Sequence, residues 1–236
     1  MIRNSPRNHV LDDDLYFEIA KGNIQNTSHI NKFGYNSTVG STFECICDNG
    51  GVYDWDATPS TVSIVSTSTS DVSTLYIEGV LEDFSHFTEI VVLTGTTPVN
   101  TTNTNIKHIY RMAVKDVGLV GNISATLSGS VIAQILFDNN QTLMSTYVVP
   151  LGYTGYILQG TAATGQGKDA TVQFRIRTND TVFTTVHIAK IYENNYNYIF
   201  KVPLPIPEKT ALEVRAKATT GTIDVSASFD IVLIKN

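Results

Sequence analysis

The sequence predicts an all-β protein, built of β-sandwich or jelly-roll-like antiparallel sheets preceded by an extended N-terminal arm. Three observations carry this expectation. From Thr61 onward, short runs alternate apolar and polar side chains with the period of two that a half-buried strand requires. Turn residues break these runs at the spacing of a sandwich or barrel. Apolar residues make up 42% of the 236 and charged ones only 16%, with Thr, Ser and Asn supplying the remaining polarity. That is enough for a packed core, and the mixture suits a pleated surface better than a helix.

Residues 1–56 have a different texture, with Asn, Gly, Asp and His frequent and apolar residues isolated. They are expected to form an arm without a core of its own. Within it, Asp14 to Lys21 followed by Gly22 reads equally as a short Gly-capped helix or as extended chain. Asn49-Gly50-Gly51 is a turn signal, and Pro59 discourages helix before it, which places a boundary near residue 57. Strands are then expected at 61–66, 73–80, 89–93, 107–114, 121–127, 130–137, 143–149, 154–158, 171–177, 182–191, 198–202, 211–218 and 223–234. Gly165-Gln166-Gly167-Lys168 lacks the spacing of a phosphate loop and reads as a hairpin tip.

In 171–177, Val172, Phe174 and Ile176 alternate with Gln173, Arg175 and Arg177, so the two arginines are expected on an outer face. Pro203, Pro205 and Pro207 remove three backbone donors, which suits an edge or a loop. The last run sets Ile223, Val225, Ala227, Phe229, Val232 and Ile234 toward a core. A change of texture at 138–141 divides the rest into β units at 57–137 and 138–236, with one interleaved domain over 57–236 as the alternative.

The function classes narrow by exclusion. A net charge of −6 with 16 scattered basic residues does not suit nucleic acid, which needs clustered cations to displace counterions. No run of 18 apolar residues is present to span a bilayer. The stretch from Met1 to Arg7 meets Asp12-Asp13-Asp14 without an apolar core, so no secretion signal is expected and synthesis in the cytoplasm is. Cys45 and Cys47 are too close for an unstrained disulfide and lack the second half of a zinc site; in extended chain they share a face, as two small buried side chains would.

His9, His29, His86, His108 and His187 show no metal or triad spacing, and no Gly-x-Ser-x-Gly elbow occurs. No enzyme, metal or cofactor is therefore expected. Asp12-Asp13-Asp14 reads as a solvated run or a helix start, with calcium as its minor alternative. Asp54-Trp55-Asp56 reads as turn chemistry around a buried indole. The tyrosines are a surplus: Tyr192, Tyr196 and Tyr198 surround a polar loop, where ring and hydroxyl suit core and subunit contacts first and sugar stacking second.

Several segments, in the same order from about residue 31 to the C-terminus, resemble a family of virion structural proteins of tailed bacteriophages, common in marine and cyanobacterial phages. They are Asn31-Lys32-Phe33-Gly34-Tyr35-Asn36, Tyr53-Asp54-Trp55, Leu93 to Val99, Ile109-Tyr110-Arg111-Met112, Asn140 to Tyr156, Pro205 to Thr210 and Val225 to Asp230. The Cys45-x-Cys47 pair lies outside the family pattern, and the loop at 66–73 is short for it. The resemblance implies a homo-oligomeric component of the virion that contacts other capsid, neck or tail proteins. It implies no catalytic activity. Phe33, Tyr35, Trp55, Tyr192, Tyr196 and Tyr198 are the expected contact residues, and a host-surface or carbohydrate-binding module is the alternative function.

Overall fold

Val, Ile and Thr in alternation stay extended, because their branched side chains lose rotamer freedom in a helix and pack well on a pleated sheet. The computed structural model describes residues 11–165, 167–192 and 195–236, without the side chains of 11–14. One helix, α1 (Leu11–Ala20), precedes β1 (Thr27–Val39), β2 (Glu44–Cys45), β3 (Val62–Ser66), β4 (Thr74–Leu81), β5 (His86–Val92) and β6 (Val99–Asn100). There follow β7 (Ile106–Val114), β8 (Ile123–Leu127), β9 (Ser130–Ile135), β10 (Thr146–Val149), β11 (Tyr153–Thr164) and β12 (Asp169–Thr178). The chain closes with β13 (Thr184–Tyr192), β14 (Asn195–Ile206), β15 (Thr210–Ala218) and β16 (Ile223–Lys235). Every ladder among the described strands is antiparallel.

Two of the sheets enclose one core. The first has the order β1-β16-β11-β14; in the second, β15 has β12 and then β13 on one side, and on the other side both β10 and β2. Because β2 and β10 pair successive stretches of the same β15 edge, Cys45 against Arg215 and Thr146 against Glu213, together they form a single interrupted strand. Counted that way, eight strands in chain order give sheets 1-8-3-6 and 2-7-4-5, which is jelly-roll topology. Phe229, Ile231, Ile157, Leu212, Val214 and Ala216 fill the space between the two sheets.

The interruption holds a second sandwich. Its sheets, β6-β3-β8-β9 and β5-β4-β7, pack Val62, Ile64, Leu75, Ile77, Ile109 and Ile123 into a separate core. The chain leaves at Ile46 and returns at Ser145, which are hydrogen-bonded to each other at 3.0 Å and to opposite groups of Val214. The ribbon continues outward through Cys47 opposite Met144 and Asp48 opposite Leu143. Cys45 and Cys47 face the inserted sandwich's core while Ile46 between them faces the jelly roll's, so the shared face expected for the cysteines is present.

Several expectations need correction. Residues 27–56 are not a coreless arm. β1 pairs with β16 from Thr27–Ile234 to Val39–Ile223, and Val39 and Ile46 are fully buried. The partner strand lies about two hundred positions away, and nothing local in the arm reveals it. Asp14 to Lys21 falls at the end of the helix and not in extended chain: Gly22 caps α1 at φ +77°, its N–H bonded to the Ile19 carbonyl. The side chains of Asp12, Asp13 and Asp14, and all of His9, lie outside the described residues. The 165–168 connection joins β11 in one sheet to β12 in the other, so it crosses the sandwich and closes no hairpin; Gln166 is outside the described residues. β16 keeps its period to the end, burying Ile231 and Leu233 on the core face and leaving Ile234 39% exposed. Among the described residues, no helix is long and apolar enough to cross a membrane.

Candidate functional site

Three regions collect the chemically distinctive side chains. The first is the open side of the jelly roll, where β13 ends one sheet and β14 ends the other without a ladder between them. β14 tolerates Pro203 and Pro205 because an edge strand leaves half its donors unpaired. Alternation aims His187, Tyr196, Tyr198 and Phe200 into the gap. His187 Nε2 lies 2.8 Å from the Tyr196 hydroxyl, and its ring stands 4.4 Å from that of Tyr198. The opposite faces show Ile188, Tyr192, Ile199 and Val202, which are 56, 65, 63 and 81% exposed. Such an edge is apolar, long and uncovered, a combination that isolated proteins avoid.

The second region is the seam between jelly roll and insert. Trp55 is buried there, with ring centroids at 4.4 Å from Tyr53, 5.0 Å from His108 and 5.5 Å from Phe183. Arg175 donates to Glu213 through Nη2 at 2.6 Å and Nε at 2.8 Å. Arg177 meets Asp56 at 2.7 Å, and Lys107 meets Asp180 at 2.9 Å. Arg175 and Arg177 therefore do not stand on a free outer face: residues 53–57 and Phe183 cover that side of β12, and Arg177 is buried.

Burial pushes the Glu213 carboxyl up, more than Arg175 pulls it down. Burial likewise lowers His108 to about 3. The Trp55 Nε1–H approaches Glu213 without reaching hydrogen-bond geometry, and His108 Nδ1 has no partner. These groups lock two sandwiches together.

The third region is a cleft of about 610 Å³ between β1 of the jelly roll and the outer face of the β4–β5–β7 sheet. Position 32 of β1 falls on the inward side of the strand, so Lys32 is carried under the insert. Its ammonium donates to the Tyr110 carbonyl. Burial lowers Lys32 to about 7, a fall that Glu78 opposes. Glu78 itself meets His86 Nε2 at 3.2 Å. Arg111, opposite Glu78 in the β4–β7 register, makes no hydrogen bond or ion pair among the described residues. The Tyr110 hydroxyl is buried without a partner, and Phe33 is 38% exposed at the rim.

The structure thus gathers Tyr196 and Tyr198 at the open edge with Tyr192 exposed nearby, sets Phe33 on the cleft and leaves Tyr35 half-buried beside the stalk of the insert. Trp55 is inside the seam and presents no surface. Lys32, Arg111 and Tyr110 were not singled out by sequence reasoning as site residues. The signal was there: reading 27–39 as a strand puts Lys32 in phase with Ile30, on a face where a lysine is unexpected.

No protein-family model matches the chain, and a search of curated proteins found no match. Among solved structures, the chain is similar to the cowpea mosaic virus top component, at 9% identity and TM-score 0.24, over 75% of this chain and 83% of that one. It is similar to the PBSX exported protein XepA, at 11% identity and TM-score 0.23, over 85% and 86%. It is also similar to the infectious bursal disease virus VP2 subviral particle, at 11% identity and TM-score 0.24, over 90% and 72%. At these scores the superpositions carry no argument about this chain.

Proposed function

We propose that the chain is a structural subunit of a tailed-phage virion, assembling with copies of itself and with other virion proteins as a capsid decoration or fibre or as a neck or tail accessory subunit. The observation that carries this reading is the uncovered β13–β14 side, where two sheets end together in exposed Ile188, Tyr192, Ile199 and Val202. A neighbouring subunit that adds a strand there satisfies the free backbone groups and covers the apolar side chains in one step. The helix α1 supports it. Ten residues are too few for a helix to be stable alone, and Leu15, Tyr16 and Phe17 are 49, 55 and 61% exposed, which suits docking on a neighbour. Further support comes from the ordered sequence resemblance between residue 31 and the C-terminus, and from a jelly roll, a fold frequent in capsids, although fold alone assigns no role.

The test has two arms. Purified particles analysed by mass spectrometry should contain peptides of this chain, and their absence would remove it from the virion. In solution, Ile199→Lys with Val202→Lys should shift the chain toward monomer by light scattering while its unfolding midpoint stays put. A wild type that is monomeric at every concentration, alone and with its particle proteins, overturns the assembly reading.

A further inference from the structure

The cleft between β1 and the β4–β5–β7 sheet takes no part in the assembly just described. Its volume of about 610 Å³ lies within the range of small-molecule sites, and junctions between folded units are where such sites favour. Lys32 is 7% exposed, and its ammonium carries three donors of which one is bound, to the Tyr110 carbonyl. Arg111 brings a guanidinium fork with no acceptor among the described residues, although Glu78 is its cross-strand neighbour. That carboxylate is held by His86 instead. Arg111 and Lys32 thus face one cleft, close enough for Arg111 to depress Lys32, and Glu78 is near both without an ion pair to either among the described residues.

The buried Tyr110 hydroxyl approaches that of Tyr147 without reaching hydrogen-bond geometry, and the Gln141 side-chain amide makes no hydrogen bond among the described residues. A purely apolar ligand would leave all of these donors unpaired. A doubly charged anion would be repelled by Glu78, whereas a single carboxylate matches the guanidinium fork of Arg111. Phe33, 38% exposed, stands at the rim on the other side of β1 from Lys32, and the Gln141 amide suits a ligand rich in hydroxyl groups.

We propose that this cleft binds a carboxylate-bearing saccharide, a hexuronic or sialic acid unit, with Arg111 and Lys32 holding the carboxylate and Phe33 covering an apolar face of the sugar ring. The site belongs to a single chain and stands whether or not the chain assembles into a particle.

Titration of the full chain with D-glucuronic acid and with N-acetylneuraminic acid, followed by calorimetry or chemical-shift change, tests it. D-glucose, inorganic phosphate and a Glu-rich tetrapeptide are the comparison probes. At least one acidic sugar should bind saturably, with glucose about tenfold weaker or worse, because the carboxylate contact is charge-assisted. Arg111→Ala and Phe33→Ala alter exposed positions, and each should weaken that binding by about tenfold with the unfolding midpoint unchanged. No saturable binding of either acid, preference for phosphate or the peptide, or unchanged affinity in Arg111→Ala would each overturn the assignment.

Discussion

His108 shows what burial does to a single side chain. It is 1% exposed, its Nδ1 is unpartnered, and burial, with Lys107 and Arg177 adding to it, holds it near 3 against an ordinary 6.5. Between those two values the unfolded chain takes up a proton that the folded chain refuses. The stability it contributes is therefore complete above 6.5 and drains away as the pH falls toward 3. From pH 7 to pH 4, the wild type should lose roughly 3 kcal/mol more than His108→Gln in urea unfolding. Asp48, raised to about 7 by burial, acts in the opposite sense over the whole of that range, but it does so in both chains and cancels in the comparison. Equal losses would show that His108 is not the group refusing the proton. None of this was legible in the sequence, where Lys107-His108-Ile109 marks a strand and nothing more. What buries the ring is Trp55, and that contact crosses fifty positions of chain.

Strands declare themselves by local alternation, and most of those expected are present because the code for extended chain lies within each run. β1 was lost in the arm because its alternation is diluted: Asn31, Lys32, Gly34 and Asn36 interrupt it, and the first three answer to distant partners. Gly34 is the clearest case. A methyl group at its Cβ position would overlap the carbonyl oxygen of Ile46 and the amide of Ser145, the two residues through which the chain leaves and rejoins the jelly roll. Gly34→Ala should therefore cost about 2–3 kcal/mol by overpacking, read from the shift in urea midpoint. A change within about 0.5 kcal/mol, the usual size for a neutral surface position, would mean that the stalk gives way easily.

At the scale of the whole molecule, the two cores are separate clusters of side chains but not separate bodies. Tyr53 packs against both, Val80, Phe84 and Tyr110 of the insert join the jelly roll's core, and the Arg177–Asp56 and Lys107–Asp180 pairs cross the seam. The chain should therefore unfold in one step. Trp55, the single tryptophan, reports the seam by fluorescence, and far-ultraviolet circular dichroism reports all strands, so their midpoints should coincide. Two resolved transitions would show that the sandwiches melt independently. The texture change near residue 138 marks where the insert ends. That β1 belongs with the last hundred residues depends on a long-range pairing that composition does not encode.

The side-by-side placement of Ile46 and Ser145 has a final consequence. A chain that departs from a barrel and returns at adjacent positions imposes almost no geometric demand on what lies between, so the insert is a cassette. Related genes could exchange it for a longer, shorter or differently decorated one without moving any of the eight strands beneath, provided that the newcomer also shelters the flank of β12 now covered by residues 53–57 and fills the places that Val80, Phe84 and Tyr110 take in the jelly roll's core.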